Sequence, residues 1–156
     1  MTIPNKTSKK FVTKDKDGVA NGYLVPIYNI HDGFYPTGME PQQVYLTVIS
    51  PGFIKGPHLH YIRTGCFTCI KGNARFIIKT DAGYEVFNSG EDHEYRSVII
   101  PTGVPAALQN IGTEEALVLN MPSPAWTPTM ADEYTSDFGD FDFSILDEKN
   151  SGLPLI

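Results

Sequence analysis

The chain has 156 residues, with 18 acidic side chains against 12 basic ones and a formal net charge of -6. That length suits one domain around one core, and the acidic balance argues against general binding to nucleic acid, which needs a basic face for the phosphates. Fourteen glycines and twelve prolines, without any long amphipathic helical pattern, favour short strands and tight turns over a helical bundle.

From the start, Met1 to Lys10 is polar and lacks the apolar centre of a leader peptide. No apolar run in the chain is long enough to span a bilayer. A cytoplasmic protein without membrane contacts is therefore expected. Residues 1–21, with a turn at Lys14 to Gly18, read as an N-terminal arm. Residues 22–131 read as the compact unit, and residues 132–156 as an acidic, aromatic tail. Its Phe138, Phe141 and Phe143 are available to dock on the body or on a second subunit.

Strands are predicted at Tyr23–Tyr28, Gln43–Ser50, Gly65–Ile70, Ala74–Lys79, Tyr84–Phe87, Ser97–Ile100, Ala106–Gln109 and Ala116–Leu119. Pro51-Gly52, Lys71-Gly72-Asn73, Asp81-Ala82-Gly83, Ser89-Gly90 and Ile111-Gly112 break them. Short strands at this spacing indicate an all-β sandwich or barrel. Arg75, Ile77 and Lys79 share one side of their strand, and that side is expected to line a wet cavity. Cys66 and Cys69 stand three apart on a strand, hence on opposite faces, and are expected to be packed, reduced thiols. Met121 to Met130 holds three prolines and Trp126, so it is expected to wrap over the barrel surface.

The most informative stretch runs from Gly52 to Gly72. In an extended chain His58 and His60 project to one side about 7 Å apart, so both can address one ligand or one metal ion. Gly52, His58, His60 and Gly72 keep the register of the first cupin motif, with Gly65 where that motif has Glu. Pro101, Gly103 and Asn110 keep the register of the second, with Ala106 where it has His. On these residues the chain resembles the cupin superfamily, which implies an all-β jelly-roll (double-stranded β-helix) barrel. A catalytic metal usually takes at least three protein ligands, and only two of the motif's ligands remain. No metal or organic cofactor is expected. The alternative is a metal held by His58 and His60 with help from His93 or a carboxylate.

Within the superfamily the chain is similar to the dTDP-4-dehydrorhamnose 3,5-epimerases and to the 3,4-ketoisomerases of dTDP-4-keto-6-deoxyglucose. The likeness spans Val44 to Tyr134 and rests on Lys55-Gly56-Pro57-His58 followed by His60, on Val98 to Gly103, on Leu108 to Asn110 and on Ala116 to Pro122. It implies that His58 is the general base, that His60 returns the proton, and that Tyr45 orients the base. It also implies a homodimer. The catalytic lysine, the acid tyrosine and the second-motif histidine of the 3,5-epimerases align with Gly65, Trp126 and Ala106, so the ketoisomerase reaction is favoured. The expected activity is metal-independent isomerisation or epimerisation of a nucleoside-diphosphate-linked 4-keto-6-deoxysugar through an enolate or enediol. Lys55, Arg63, Arg75 and Lys79 are candidates for the substrate's anionic part, and Tyr61 and Trp126 for stacking on its base. A non-catalytic cupin that binds a sugar or a small acid is a further alternative.

Overall fold

Alternation along the central strands sets the two-layer architecture seen in a computed structural model that describes residues 2–144. Strand β1 (Asn5–Ser8) is followed by the hairpin β2 (Phe11–Lys14) and β3 (Ala20–Leu24), a single 3-10 turn at Ile30–Asp32, then β4 (Tyr45–Ile49), β5 (Ile54–Leu59), β6 (Gly65–Lys71), β7 (Asn73–Thr80), β8 (Gly83–Gly90), β9 (Tyr95–Ile100), β10 (Ala106–Asn110), β11 (Ala116–Asn120) and β12 (Tyr134–Thr135). One five-stranded sheet has the order β1-β9-β6-β11-β4, the other β12-β5-β10-β7-β8, and every strand pair is antiparallel. The two sheets face each other as an all-β jelly roll.

The core lies between them. Ile49, Cys69, Val98, Ala116 and Val118 come from the first sheet, and Ala74, Phe76, Ile78 and Leu108 from the second. Each fully buried Phe or Ile contributes about 1.5–3 kcal/mol over its exposed state. Among the described residues no helix is long and apolar enough to cross a membrane.

Several expectations need correcting. The first 21 residues are not simply an arm, because Ile3 is fully buried in the core and β1 pairs with β9. One apolar residue and a short strand anchor a segment whose composition is polar. The strand predicted at Tyr23–Tyr28 instead occupies Ala20–Leu24 and pairs with β2. Pro26, which has no N–H to give a ladder, stands just beyond its end.

The side of β7 that carries Arg75, Ile77 and Lys79 is packed under the tail and does not face the cavity that the two histidines line. Ile77 packs with Ala107 and Phe138, and Lys79 Nζ donates to the Asp137 carbonyl at 3.3 Å. Both faces of β7 are buried, the inner one in the core and the outer one under residues 137–143 of the tail, so alternation alone could not tell them apart. Phe138, Phe141 and Phe143 cluster there around Tyr84. The rest of that tail lies outside the described residues.

Candidate active site

The local sequence of β5 aims the histidines. Between β5 and β10 the pairing runs from Ala106 opposite His58 to Leu108 opposite Lys55, so three steps on β5 face two on β10. That is a β-bulge, and Gly56 sits in it at φ +88. A Cβ on Gly56 would lie 2.9 Å from the Ala106 carbonyl oxygen and 2.9 Å from the His58 nitrogen, so only glycine fits. Lys-Gly-Pro thus re-aims the strand immediately before His58.

His58 and His60 line one cavity of about 370 Å³ between the sheets, within the usual range for small-ligand sites of roughly 300–1,000 Å³. Lys55 and Leu108 join them from the second sheet, while Tyr45, Thr47, Phe67 and Asn120 face them from the first, and Arg63 closes one side. Of the residues singled out in the sequence, Tyr45, Lys55, His58, His60 and Arg63 therefore meet at one place. Arg75 and Lys79 lie on the outer face of β7, as above. Tyr61 does not line the cavity, and its exposed ring packs edge-to-face on Tyr134 with centroids 5.3 Å apart. Trp126 is exposed and also absent from the lining, its backbone N–H donating to Gln43 Oε1 at 2.9 Å.

Three residues at the site were not legible beforehand. Glu133 reaches in from the tail, its Oε1 3.7 Å from His58 Nδ1 and 3.7 Å from His60 Nε2. These contacts are too long for hydrogen bonds, so Glu133 acts on the pair as a neighbouring charge. Asp132, nearly fully buried, accepts backbone N–H bonds from Tyr61 at 2.8 Å, Ile62 at 2.9 Å and Arg63 at 3.0 Å. Its Oδ2 is also 3.7 Å from Arg63 Nε. Asn120 stands on β11 and donates to the Tyr45 hydroxyl at 2.6 Å. Tyr45 is therefore tied to Asn120. The sequence signals for Asp132 and Glu133 were masked because both belong to a tail whose acidic character reads as solvated surface.

Electrostatics separate the roles. Burial and then the Arg63 charge push the His60 imidazole below its ordinary value of 6.5, against the opposing pull of Asp132 and Glu133. Its Nε2 is buried without a hydrogen-bond partner, so at neutral pH the ring is neutral and has a lone pair to offer. For Asp132, burial pushes the carboxyl up, but the three N–H donors and His60 outweigh it and hold it below its ordinary value. The cysteines take no part. Cys66 and Cys69 are buried on opposite faces of β6, in separate apolar clusters, and burial raises them to about 11 and about 12. Both remain thiols at neutral pH.

The donor set does not fit a cupin metal. Gly65 and Ala106 both line the cavity and carry no ligand atom, and among the described residues no group of three or more His, Cys, Asp and Glu side chains is placed to hold an ion. Gly65 leaves room that Phe67 fills, since a Cβ at Gly65 would lie 2.8 Å from Phe67 Cε2.

Residues 37–134, which include every cavity residue named above, match the family model described as the polysaccharide biosynthesis C-terminal domain. The chain belongs to that family. As a polysaccharide biosynthesis C-terminal domain, it is 30% identical over 93 residues to the UDP-2-acetamido-2,6-beta-L-arabino-hexul-4-ose reductase of Pseudomonas aeruginosa, a match covering 58% of this chain and 24% of that protein. The chain thus spans about a quarter of the length of the curated relative it matches. Among solved structures it resembles the rmlC epimerase of Mycobacterium tuberculosis, with TM-score 0.71, 15% identity, and coverage of 94% of this chain and 80% of that one. It also resembles QdtA, a sugar 3,4-ketoisomerase from Thermoanaerobacterium thermosaccharolyticum solved with TDP, with TM-score 0.63, 16% identity, and coverage of 86% and 88%. These likenesses show the fold: the domain has the cupin fold of the rmlC epimerase and of QdtA.

Proposed function

We propose that this domain moves a proton on a nucleoside-diphosphate-linked 4-keto-6-deoxysugar, without metal, and that it isomerises the ketone between C4 and C3 rather than inverting C3 and C5. The observation that carries the reading is the convergence of two imidazoles and one carboxylate on a cavity of substrate size that lacks a metal donor set. The fold supports it, since QdtA has been solved with TDP and, in a mutant form, with TDP-4-keto-6-deoxyglucose.

A ketone acidifies the C–H bond beside it, and an imidazole is the side chain suited to take that proton near neutral pH. His58 removes the C3 proton, and the C–H electron pair becomes the C3–C4 double bond of an enediol. His60, kept neutral by burial and by Arg63, takes part in returning a proton at C4 while the ketone re-forms at C3. His58 stands on β5 and His60 immediately after its end, so both line the cavity from one short stretch of chain. That placement suits transfer across one face of the sugar. Inversion at a carbon needs groups on both faces, and the lysine and tyrosine of the 3,5-epimerases are replaced by Gly65 and Trp126.

Lys55 and Arg63 line the cavity and supply the cations for a diphosphate. Tyr61 and Tyr134, paired edge-to-face and both exposed beside His60 and Glu133, offer a flat apolar surface for the base. The test is product analysis by NMR after incubation with a panel of nucleotide-linked 4-keto-6-deoxysugars. A 3-keto product supports the reading; an inverted 4-keto product replaces it with epimerisation; binding without turnover replaces it with a sugar-binding cupin.

We also infer that the domain pairs with a second copy of itself. The hairpin β2–β3 joins neither five-stranded sheet and leaves Phe11, Val12, Tyr23 and Leu24 more than half exposed. Two-stranded hairpins are marginal alone in water. The edge strand β4 likewise exposes Leu46 and Val48 on its outer side, and Val44 is exposed just before it. A two-fold axis lets the hairpin of each copy cover β4 of the other. Sedimentation is expected to give a dimer for the native chain and a monomer for Leu46→Lys combined with Val48→Lys. A native monomer at micromolar concentration would contradict the pairing.

A further inference from the structure

Tyr45 and Asn120 are directly opposed on β4 and β11, so the sheet fixes their approach. Asn120 is 4% exposed and uses both ends of its amide. Its Oδ1 accepts the Cys66 backbone N–H at 3.0 Å, and its Nδ2 lies 2.6 Å from the Tyr45 hydroxyl oxygen. A backbone N–H can only donate. The amide oxygen must therefore face Cys66, and the amide nitrogen must face Tyr45. The phenol oxygen is then an acceptor toward Asn120, and its own hydrogen has to point elsewhere. Tyr45 lines the cavity opposite His58, on the other sheet.

We propose that Asn120 is a positioning residue which, anchored by Cys66 N–H, turns the Tyr45 hydroxyl hydrogen into the cavity and makes Tyr45 the donor to the carbonyl oxygen of the substrate. This rests on the keto-sugar reading above and gives Tyr45 a role different from orienting the base. As His58 takes the C3 proton, the C3–H pair forms the new double bond and the C4 carbonyl π pair moves onto oxygen, which receives the Tyr45 proton. The phenolate left behind is held by Asn120 Nδ2–H. When the ketone re-forms at C3, the hydroxyl proton on O3 returns to Tyr45, and the His58–His60 pair, whose bound proton exchanges with solvent because both side chains are partly exposed, delivers a proton to C4. Protons and electrons balance without any other reactant.

Asn120→Asp is the discriminating variant. It keeps an oxygen for Cys66 N–H but presents a second oxygen to Tyr45, so the phenol hydrogen is spent on Asp and withdrawn from the cavity. Solvent-deuterium exchange into the keto sugar at saturating substrate is expected to fall on the order of a hundredfold, as for loss of one oxyanion donor. KM is expected to change little. Tyr45→Phe, which leaves Asn120 in place, is expected to fall equally, and the double variant no further. Additive losses, or full activity in a folded Tyr45→Phe, would overturn the proposal while leaving the His58 chemistry standing. Neutron diffraction from deuterated native crystals judges the hydrogen direction without any turnover. A Tyr45 deuteron pointing into the cavity supports the assignment, and one pointing at Asn120 overturns it. Absence of exchange in the native protein would sink the keto-sugar reading, and the neutron result would still decide the geometry.

Discussion

His58→Asn is expected to abolish isomerisation, lowering the rate by on the order of a thousandfold, while the barrel stays folded. Asn keeps the polarity of the imidazole but cannot accept a proton at neutral pH. The His58 side chain is 38% exposed, and its Nδ1 stands 3.7 Å from Glu133 Oε1, too far for a hydrogen bond. Its backbone, opposite Ala106 in β10 and Thr135 in β12, is untouched by the change. Rates measured beside circular dichroism and urea unfolding separate the two effects. A variant that keeps its unfolding midpoint but loses turnover matches the account. Unchanged turnover would remove His58 from the chemistry.

Asp132→Ala should damage stability most. This carboxylate takes three backbone N–H donors of the turn at Tyr61 to Arg63 and stands beside a guanidinium whose side chain is 11% exposed. Removing it strands those donors and leaves Arg63 without its acid. Breaking a buried pair of this kind costs about 3–5 kcal/mol, readable as a lower midpoint in urea at constant slope. Activity should fall as well, because Asp132 anchors the segment that presents Glu133 to both histidines and then pairs with β5 through Tyr134 and Thr135. In Asp132→Asn, which keeps most of the shape, His60 loses a charge that raised its pKa. NMR titration should show His60 taking up its proton at lower pH than in the native chain.

The same groups set the response to acid. His60 titrates below 6.5 when folded, so between the two values the unfolded chain binds the proton that the folded one refuses. Stability therefore falls as pH drops below 6.5. Asp132, held below its ordinary value of 3.8, adds stability above that value that is lost as pH falls through its folded one. Both act in one direction, toward loss of stability in acid.

The fold was readable where strands carry their pattern locally. Ala106–Gln109 and Ala116–Leu119 are short apolar runs between turn residues, and they form β10 and β11 nearly as expected. Strand β5 was not, since Gly56 and Pro57 look like a breaker and become a bulge only because β10 lies alongside. Arg75 misled for a related reason: what covers its side of β7 is a tail segment more than sixty residues later in the chain. At the site, the His58–His60 pair was legible because its two-residue spacing is local to one stretch of chain, the end of β5 and the residue after it. Asp132, Glu133 and Asn120 were not, because each acts on a partner from another strand, and nothing in Asp-Glu or in Leu-Asn marks a side chain as buried.

The most direct test of the central claim is deuterium incorporation from heavy water into nucleotide-linked 4-keto-6-deoxysugars, followed by NMR for the native protein and His58→Asn. The account predicts deuterium at C3 or C4 with the native protein and none above background with the variant. Equal incorporation by both, or none by the native protein with any sugar of the panel, would contradict it.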